Sequence, residues 1–453
     1  MGNLKIYQIF LFFFLISVTF IIFSPTLDGT YSTLDDHIML RSYSGSLKDI
    51  SKDFIVNTFK NRHEGLYHPL VTLSYSLEKT LFGFIPAMFH FDNVLLHIFN
   101  TILVFLILLK LSDSFWLSFI VTALFAIHPT RAEVVCWISS RKDLLYSVFY
   151  LLSVFFYVQT YDNKKHSALL ITGSILLYLL ACLSKSMAIT LPFVLIILDL
   201  YKNVFSKERI KIYLIYLSIT VLFVVITIIA HYLDWGNARF QFDIFRQTVN
   251  FINAHFNILF YLDKLILPIN LYCMYPFFYN EFGSLPPNFI LYSPAALYLL
   301  IYFCYLSLAK TKVIFYGFMF FLISIIPVSS ILPIGLFVVA DRYTYIPYLG
   351  LFFIFAKLIL YIYNIPNKFK NKILNLVKVF VVVVCLTIFG TLSYLSFNRV
   401  FDWKMNLFSA PIGMKYYEFG IKKNIKDNSG IKRIKQKAKI RFLNNIKSAI
   451  IKK

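Results

Sequence analysis

The chain has 453 residues, 59% of them hydrophobic, 19% aromatic and only 15% charged, with a mean hydropathy of +0.71. Soluble domains carry about 25% charged residues, and a chain this poor in charge cannot cover its own surface with polar side chains in water. A soluble enzyme, a disordered chain and a disulfide-stapled secreted domain are excluded, and the net charge of +22 in so apolar a chain points to membrane surfaces, not to nucleic acid.

The first apolar run, Ile6 to Phe23, follows Lys5. No small-residue cleavage signal follows it, so it reads as an uncleaved first span. Ten further runs lie at Val94–Leu109, Phe115–Ile127, Leu144–Val158, Ala168–Leu183, Ala188–Leu198, Tyr213–Leu233, Phe289–Ala309, Val313–Leu332, Tyr345–Tyr363 and Ile373–Phe397. Each is long enough, or nearly so, for a hydrocarbon core of about 30 Å. The sequence therefore predicts an all-α polytopic membrane protein, a bundle of about 11 transmembrane helices with a long first extracytoplasmic loop.

A twelfth candidate, Phe251–Leu267, is interrupted by Asn253, His255, Asn257, Asp263 and Lys264. Loop charge decides against it. With eleven spans and the N-terminus inside, the short cytoplasmic pieces hold 13 Lys/Arg against few acids, whereas the outside loops balance the two signs. A twelfth span would turn Lys310–Lys312 and Lys368–Lys372 outward, so Phe251–Leu267 reads as an interfacial or re-entrant helix. The last stretch, Phe397 to Lys453, holds 15 Lys/Arg against three acids. Residues 1–397 thus form the transmembrane domain and 398–453 a basic C-terminal tail suited to an anionic membrane surface. The five cysteines show no CxxC and no metal-ligand spacing, and read as buried hydrophobes.

Four polar clusters fall on the extracytoplasmic face in this topology. The first is Asp35-Asp36 in the long first loop, where two adjacent carboxylates can raise each other toward the range of a general base. The second runs from His128 through Arg131, Glu133 and Trp137 to Arg141-Lys142-Asp143. The third is Lys185, and the fourth is Asp341-Arg342-Tyr343. Three of the four supply cations that could hold a lipid-linked phosphate. Each also has a plainer reading: solvated loop acids, snorkelling anchors around Trp137, or a structural Asp-Arg pair. Asp35, Asp36, His37 and His63 have no metal-ligand spacing, so no metal or other cofactor is expected.

These segments resemble the transmembrane and tetratricopeptide-repeat-containing proteins and their prokaryotic relatives. The matching residues are Leu34-Asp35-Asp36, Tyr67-His68-Pro69-Leu70, Leu73 to Leu77, His90 to His97, His128 to Leu144, Leu183 to Pro192 and Ala340 to Pro347, over roughly residues 1–410. The chain departs at His68, where the family often has Arg. Asn398 to Lys404 resembles the family's junction, but no 34-residue repeat follows it.

The resemblance implies a GT-C glycosyltransferase fold and a sugar, mannose by analogy, carried on polyprenyl phosphate. It implies transfer on the extracytoplasmic face of a prokaryotic cytoplasmic membrane, or of the endoplasmic reticulum in a eukaryote, to a protein, lipid or glycan acceptor. Asp35 or Asp36 would be the catalytic acid-loop residue, and Arg141, Lys142, Lys185 and Arg342 would hold the donor phosphate. His68, His128, Arg131, Glu133, Asp341 and Tyr343 would line the cavity. A transporter or flippase would instead place ionisable residues at mid-membrane within internal repeats, and a non-catalytic scaffold would need neither acids nor cations.

The topology is checked by cysteine-accessibility labelling. Cysteines placed at Ser46 and Asn280 should label from outside, and those at Lys207 and Lys370 only after permeabilisation. Outside labelling at Lys370 would overturn the eleven-span arrangement.

Overall fold

The computed structural model describes residues 5–32, 36, 50–60, 67–163, 165–235, 244–273, 275, 287–309, 311–329, 339–365 and 372–404. The catalytic candidate Asp35 and the basic tail beyond residue 404 lie outside them. The regular elements among the described residues are helices, in chain order α1 (Ile6–Phe23), α2 (Lys52–Lys60), α3 (Pro69–Phe82), α4 (Pro86–Ser112), α5 (Phe115–Ile127), α6 (Arg131–Cys136) and α7 (Arg141–Gln159). There follow α8 (Ser167–Ser184), α9 (Leu191–Lys202), α10 (Lys207–Trp235), α11 (Ile244–Ile266), α12 (Pro287–Leu306), α13 (Lys312–Ile325), α14 (Tyr348–Tyr363) and α15 (Lys372–Lys404).

Among the described residues every one of the eleven apolar runs contributes a helix, yet they are unequal. Five helices, α1, α4, α8, α10 and α15, are long and apolar enough to cross a membrane, and shorter apolar helices accompany them. This is a multi-pass membrane protein. The short members differ from the expected full spans. At 1.5 Å per residue, the 13 residues of α5 reach only about 20 Å. They can be short because they are wrapped by protein: Leu117, Val121, Phe125 and Ile127 are fully buried. The run from Ala188 likewise opens as a 3-10 turn, Ser186–Thr190, before α9 begins at Leu191. The interrupted candidate forms the 23-residue helix α11. Its polar Asn253, His255 and Asn257 are buried against the bundle, with Asn257 donating to the Ser329 carbonyl at 3.3 Å.

Local chemistry sets the boundaries near the candidate site. Gly83, at φ +74°, closes α3 in a region L side chains avoid, and Pro86 opens α4 at its first turn, where its missing N–H costs nothing. The Ser114 side chain accepts from Leu117 N at 3.4 Å and caps α5. Inside the bundle, α4 turns one polar face inward: His90, Asn93, His97 and Asn100, spaced three and four apart, are all buried. Asn93 donates to the carbonyls of Val135 (3.4 Å) and Trp137 (3.1 Å), and Asn100 to that of Leu144 (3.1 Å). His97 bridges the Tyr345 hydroxyl (2.8 Å) and the Ala126 carbonyl (3.0 Å). The irregular stretch from 126 to 144 thereby finds partners for its backbone, as non-helical chain in a membrane protein must.

Helices α13 and α14 meet through two glycines. A Cβ on Gly317 would stand 2.6 Å from the Gly350 carbonyl oxygen, and one on Gly350 would overlap the Gly317 carbonyl. Such small-residue contacts let backbones approach closely where lipid supplies no hydrophobic drive. Gly350→Ala should destabilise the protein by roughly 1–3 kcal/mol through overpacking. Gly390→Ala on α15, where a Cβ meets nothing within 4 Å, should not; unfolding in detergent compares the two.

Candidate functional site

The site is built around the short stretch Trp137 to Asp143, which links α6 to α7 through the 3-10 turn Ile138–Ser140. Asp36 is buried and bound to this stretch. One carboxylate oxygen accepts from the Ser139 N–H (2.9 Å) and hydroxyl (2.6 Å), and the other from the Ser32 N–H (2.7 Å). The Tyr75 hydroxyl of α3 donates to the Ile138 carbonyl at 2.7 Å. Asp36 and the helix α3 are therefore both bonded to the α6–α7 junction.

Arg141, expected to hold the donor phosphate, is occupied elsewhere. Its Nη1 pairs with Glu78 of α3, Nε donates to Asn93 Oδ1 (2.8 Å) and Nη2 to the Phe89 carbonyl (2.7 Å), while Asp92 stands 3.6 Å away. Arg141 and Glu78 are both buried, and burial pushes Glu78 up to about 7 against the opposing pull of Arg141. This pair holds helices together; a guanidinium with these partners is a poor ligand for an incoming phosphate. Sequence reasoning missed Glu78. The only signal was an acid one residue beyond the matched run Leu73–Leu77.

The other three cations come together. Lys185 pairs with Asp143 and lies over the rings of Tyr146 (5.8 Å) and Tyr343 (5.7 Å). Arg342 lies over Tyr343 (4.9 Å) and Trp137 (5.2 Å), and Lys142 over the same Trp137 ring (5.8 Å). Arg342 is anchored on Glu133 twice: its backbone N–H donates to Oε2 at 2.9 Å and its guanidinium pairs with Oε1. Three cations thus gather about two carboxylates, Asp143 and Glu133, with Lys185 and Arg342 buried and Lys142 half-buried. Burial lowers Lys185 to about 8 despite Asp143, and the charges of Lys142 and Arg342 act in the same direction. A site whose cations repel one another is stabilised by an arriving anion.

Asp341 belongs to the edge of this group. It accepts from the Tyr275 hydroxyl and lies 3.9 Å from Arg399 of α15, and burial followed by the charge of Glu133 pushes it up to about 7. Two candidates are structural. His128 bridges Thr130 Oγ1 (2.9 Å) and the Leu265 carbonyl (3.3 Å), and burial lowers it to about 3, so it is a neutral strut. Arg131 is fully buried among the rings of Phe125, Tyr345, Tyr348 and Phe352, its Nε donating to the Phe125 carbonyl at 3.2 Å. Burial lowers it to about 10. Half-buried His68 stands at the start of α3. Among the described residues no group of three or more His, Cys, Asp or Glu side chains converges as metal ligands would.

No family model matches this chain. Curated relatives match part of it. Protein O-mannosyl-transferase Tmtc1 of Drosophila melanogaster is 38% identical over 126 residues, 28% of this chain and 14% of the relative. Human protein O-mannosyl-transferase TMTC2 is 36% identical over 103 residues, 22% and 12% of the two chains. The mouse TMTC1 protein is 31% identical over 158 residues, 32% and 16%. The chain resembles the TMTC O-mannosyl-transferases. The matched region spans between 12% and 16% of the length of these relatives. Two solved structures are also similar, each 14% identical. They are the Archaeoglobus fulgidus oligosaccharyltransferase (TM-score 0.45; 92% of this chain, 59% of that one) and ArnT from Cupriavidus metallidurans bound to undecaprenyl phosphate (0.43; 89% and 77%).

The charge balance of the cluster is open to direct measurement. Asp143→Asn removes the nearest opposite charge from Lys185, so the lysine should titrate below its value of about 8. Nuclear magnetic resonance of dimethylated lysines across pH reads this; an unmoved or raised titration would mean that Asp143 does not support the charge.

Proposed function

We propose that the protein is an inverting glycosyltransferase that moves a mannosyl group from a polyprenyl phosphate to an acceptor hydroxyl. Supporting this is one arrangement: Lys142, Lys185 and Arg342 share the faces of Trp137 and Tyr343, while Asp36 is bound to Ser139 in the same stretch. The partial similarity to O-mannosyl-transferases supports the sugar.

The chemistry divides between these groups. The acceptor oxygen attacks the anomeric carbon, the bond from that carbon to the phosphate oxygen breaks, and the polyprenyl phosphate leaves with the bonding pair. The acceptor's proton passes to the Asp36 carboxylate, which three hydrogen bonds hold in one orientation. The donor phosphodiester carries one negative charge and the departing monoester gains a second. Lys185, Arg342 and Lys142 meet that added charge in a low-dielectric setting, where fixed cations count for more than in water. Aromatic faces beneath them keep the cations in place and supply apolar surface for a sugar ring or the first isoprene unit. In this reading the site lies at the extracytoplasmic interface, which the donor's lipid tail can reach from the bilayer, and transfer needs no divalent metal. The acceptor is a protein, lipid or glycan hydroxyl.

With purified protein and polyprenyl-phosphate mannose, Asp36→Asn should abolish transfer and leave folding intact. Lys185→Ala and Arg342→Ala should slow turnover at saturating donor on the order of a hundredfold, as losing one oxyanion donor does. Arg141→Ala should instead deplete folded protein, because it strands Glu78 in the interior at a cost of roughly 3–5 kcal/mol. Chelator should leave the wild-type rate unchanged. Full activity in Asp36→Asn, or less than a tenfold loss in both cation variants, would end this assignment.

A further inference from the structure

The C-terminal turns of α15 reach the site although no cation in the proposed machinery comes from that helix. Most of α15 is lined by exposed apolar residues such as Leu376, Phe380, Val383 and Leu386, and its buried residues, Leu392, Ser396, Arg399, Val400 and Trp403, gather at its C-terminal end. Ser396 bonds the Ile127 carbonyl there, and Lys404 pairs with Asp28 at 3.2 Å, so this end is docked at several points.

Two side chains of this end touch the site. The Trp403 indole stacks on that of Trp137, with ring centroids 5.8 Å apart and planes 20° from parallel. Trp137 is the ring that lies under both Arg342 and Lys142. Arg399, buried in a protein interior, sits 3.9 Å from Asp341 and 3.0 Å from Asp402. Asp341 precedes Arg342 in the chain, and its carboxylate feels the charge of Glu133, the acid that anchors Arg342. The arrangement alternates in sign: Glu133 with Arg342, then Asp341 with Arg399. A carboxylate left without Arg399 would either take up a proton or push against Glu133, the anchor of Arg342, since a buried unpaired charge is costly.

We infer that Arg399 and Trp403 are positioning residues for the leaving-group site: Arg399 occupies Asp341, and Trp403 fixes the Trp137 ring, so that Arg342 and Lys142 stay aimed at the phosphate. The inference rests on the glycosyl-transfer reading for its ligand, a polyprenyl phosphate. Because the departing monoester carries more charge than the donor diester, a displaced Arg342 penalises turnover and product binding more than donor binding.

The test uses the full chain in detergent or nanodiscs with four substitutions, Arg399→Gln, Arg399→Lys, Trp403→Leu and Trp403→Phe. Turnover, donor KM, binding of undecaprenyl phosphate and thermal unfolding are measured for each. Arg399→Gln and Trp403→Leu should lose about tenfold or more in kcat and bind undecaprenyl phosphate about tenfold more weakly, with donor KM changed less than about threefold. Arg399→Lys keeps the charge and Trp403→Phe keeps an aromatic face, so both should recover to within about threefold of wild type. If Arg399→Gln and Trp403→Leu stay within twofold of wild type, or if the conservative variants lose as much as the drastic ones, the positioning role is wrong. A wild-type protein that binds undecaprenyl phosphate but transfers no mannose would remove the mannosyl-transfer reading, while loss of that binding in Arg399→Gln and Trp403→Leu would still uphold positioning. A wild-type protein that neither binds nor transfers would overturn both.

Discussion

A buried ion must be neutralised where it stands, and in this chain the pairing of Arg141 with Glu78 does that at the start of α7. The consequence is geometric. Arg141 also takes hydrogen bonds to Asn93 and the Phe89 carbonyl, so one guanidinium joins α3, α4 and α7. The residues on either side of it are thereby fixed. Ser139 holds Asp36, Lys142 lies on Trp137, and Asp143 holds Lys185. Moving Arg141 would shift the acid and the cations together.

The polar face of α4 makes this irregular junction affordable inside a membrane protein. Backbone groups that leave a helix need partners, and His97, Asn93 and Asn100 supply them to Ala126, Val135, Trp137 and Leu144. The same face explains why short helices such as α5 are tolerated. Helix α5 buries Leu117, Val121, Phe125 and Ile127 in protein, so it need not match the thickness of the bilayer. Long apolar helices thus cross the membrane, while the inward face of α4 and the short helices with their broken connections frame a polar interior.

Charge is distributed unequally within that interior. Arg131 and His128 show that basic residues in the matched motif can serve packing, one among aromatic rings and the other as a neutral bridge. Lys142, Lys185 and Arg342 differ because they crowd one another around two shared rings, Trp137 and Tyr343. An anion that enters there relieves repulsion as well as gaining attraction. The alternate pairing of Glu133, Arg342, Asp341 and Arg399 extends this pattern to α15, a helix whose remaining length faces outward.

Hydropathy alone determined that the chain is helical and membrane-spanning, because backbone groups in hydrocarbon must be satisfied within the helix and an apolar run records that requirement directly. It also located the helices: Ile6–Phe23 and Phe115–Ile127 are bounded in the structure as they are in the sequence. The motifs marked Asp36, Lys185, Arg342 and Glu133 as polar residues placed at a cost. Which of them share a site was decided only by the tertiary structure. Arg141 and Lys142 are neighbours in the chain, yet successive side chains on a helix point about 100° apart, and one is spent on Glu78 while the other faces Trp137. Glu78 and Arg399, distant in sequence and unremarkable in composition, acquire their roles solely from the side chains that folding brings against them, since ion pairing depends on separation in space and not on position along the chain.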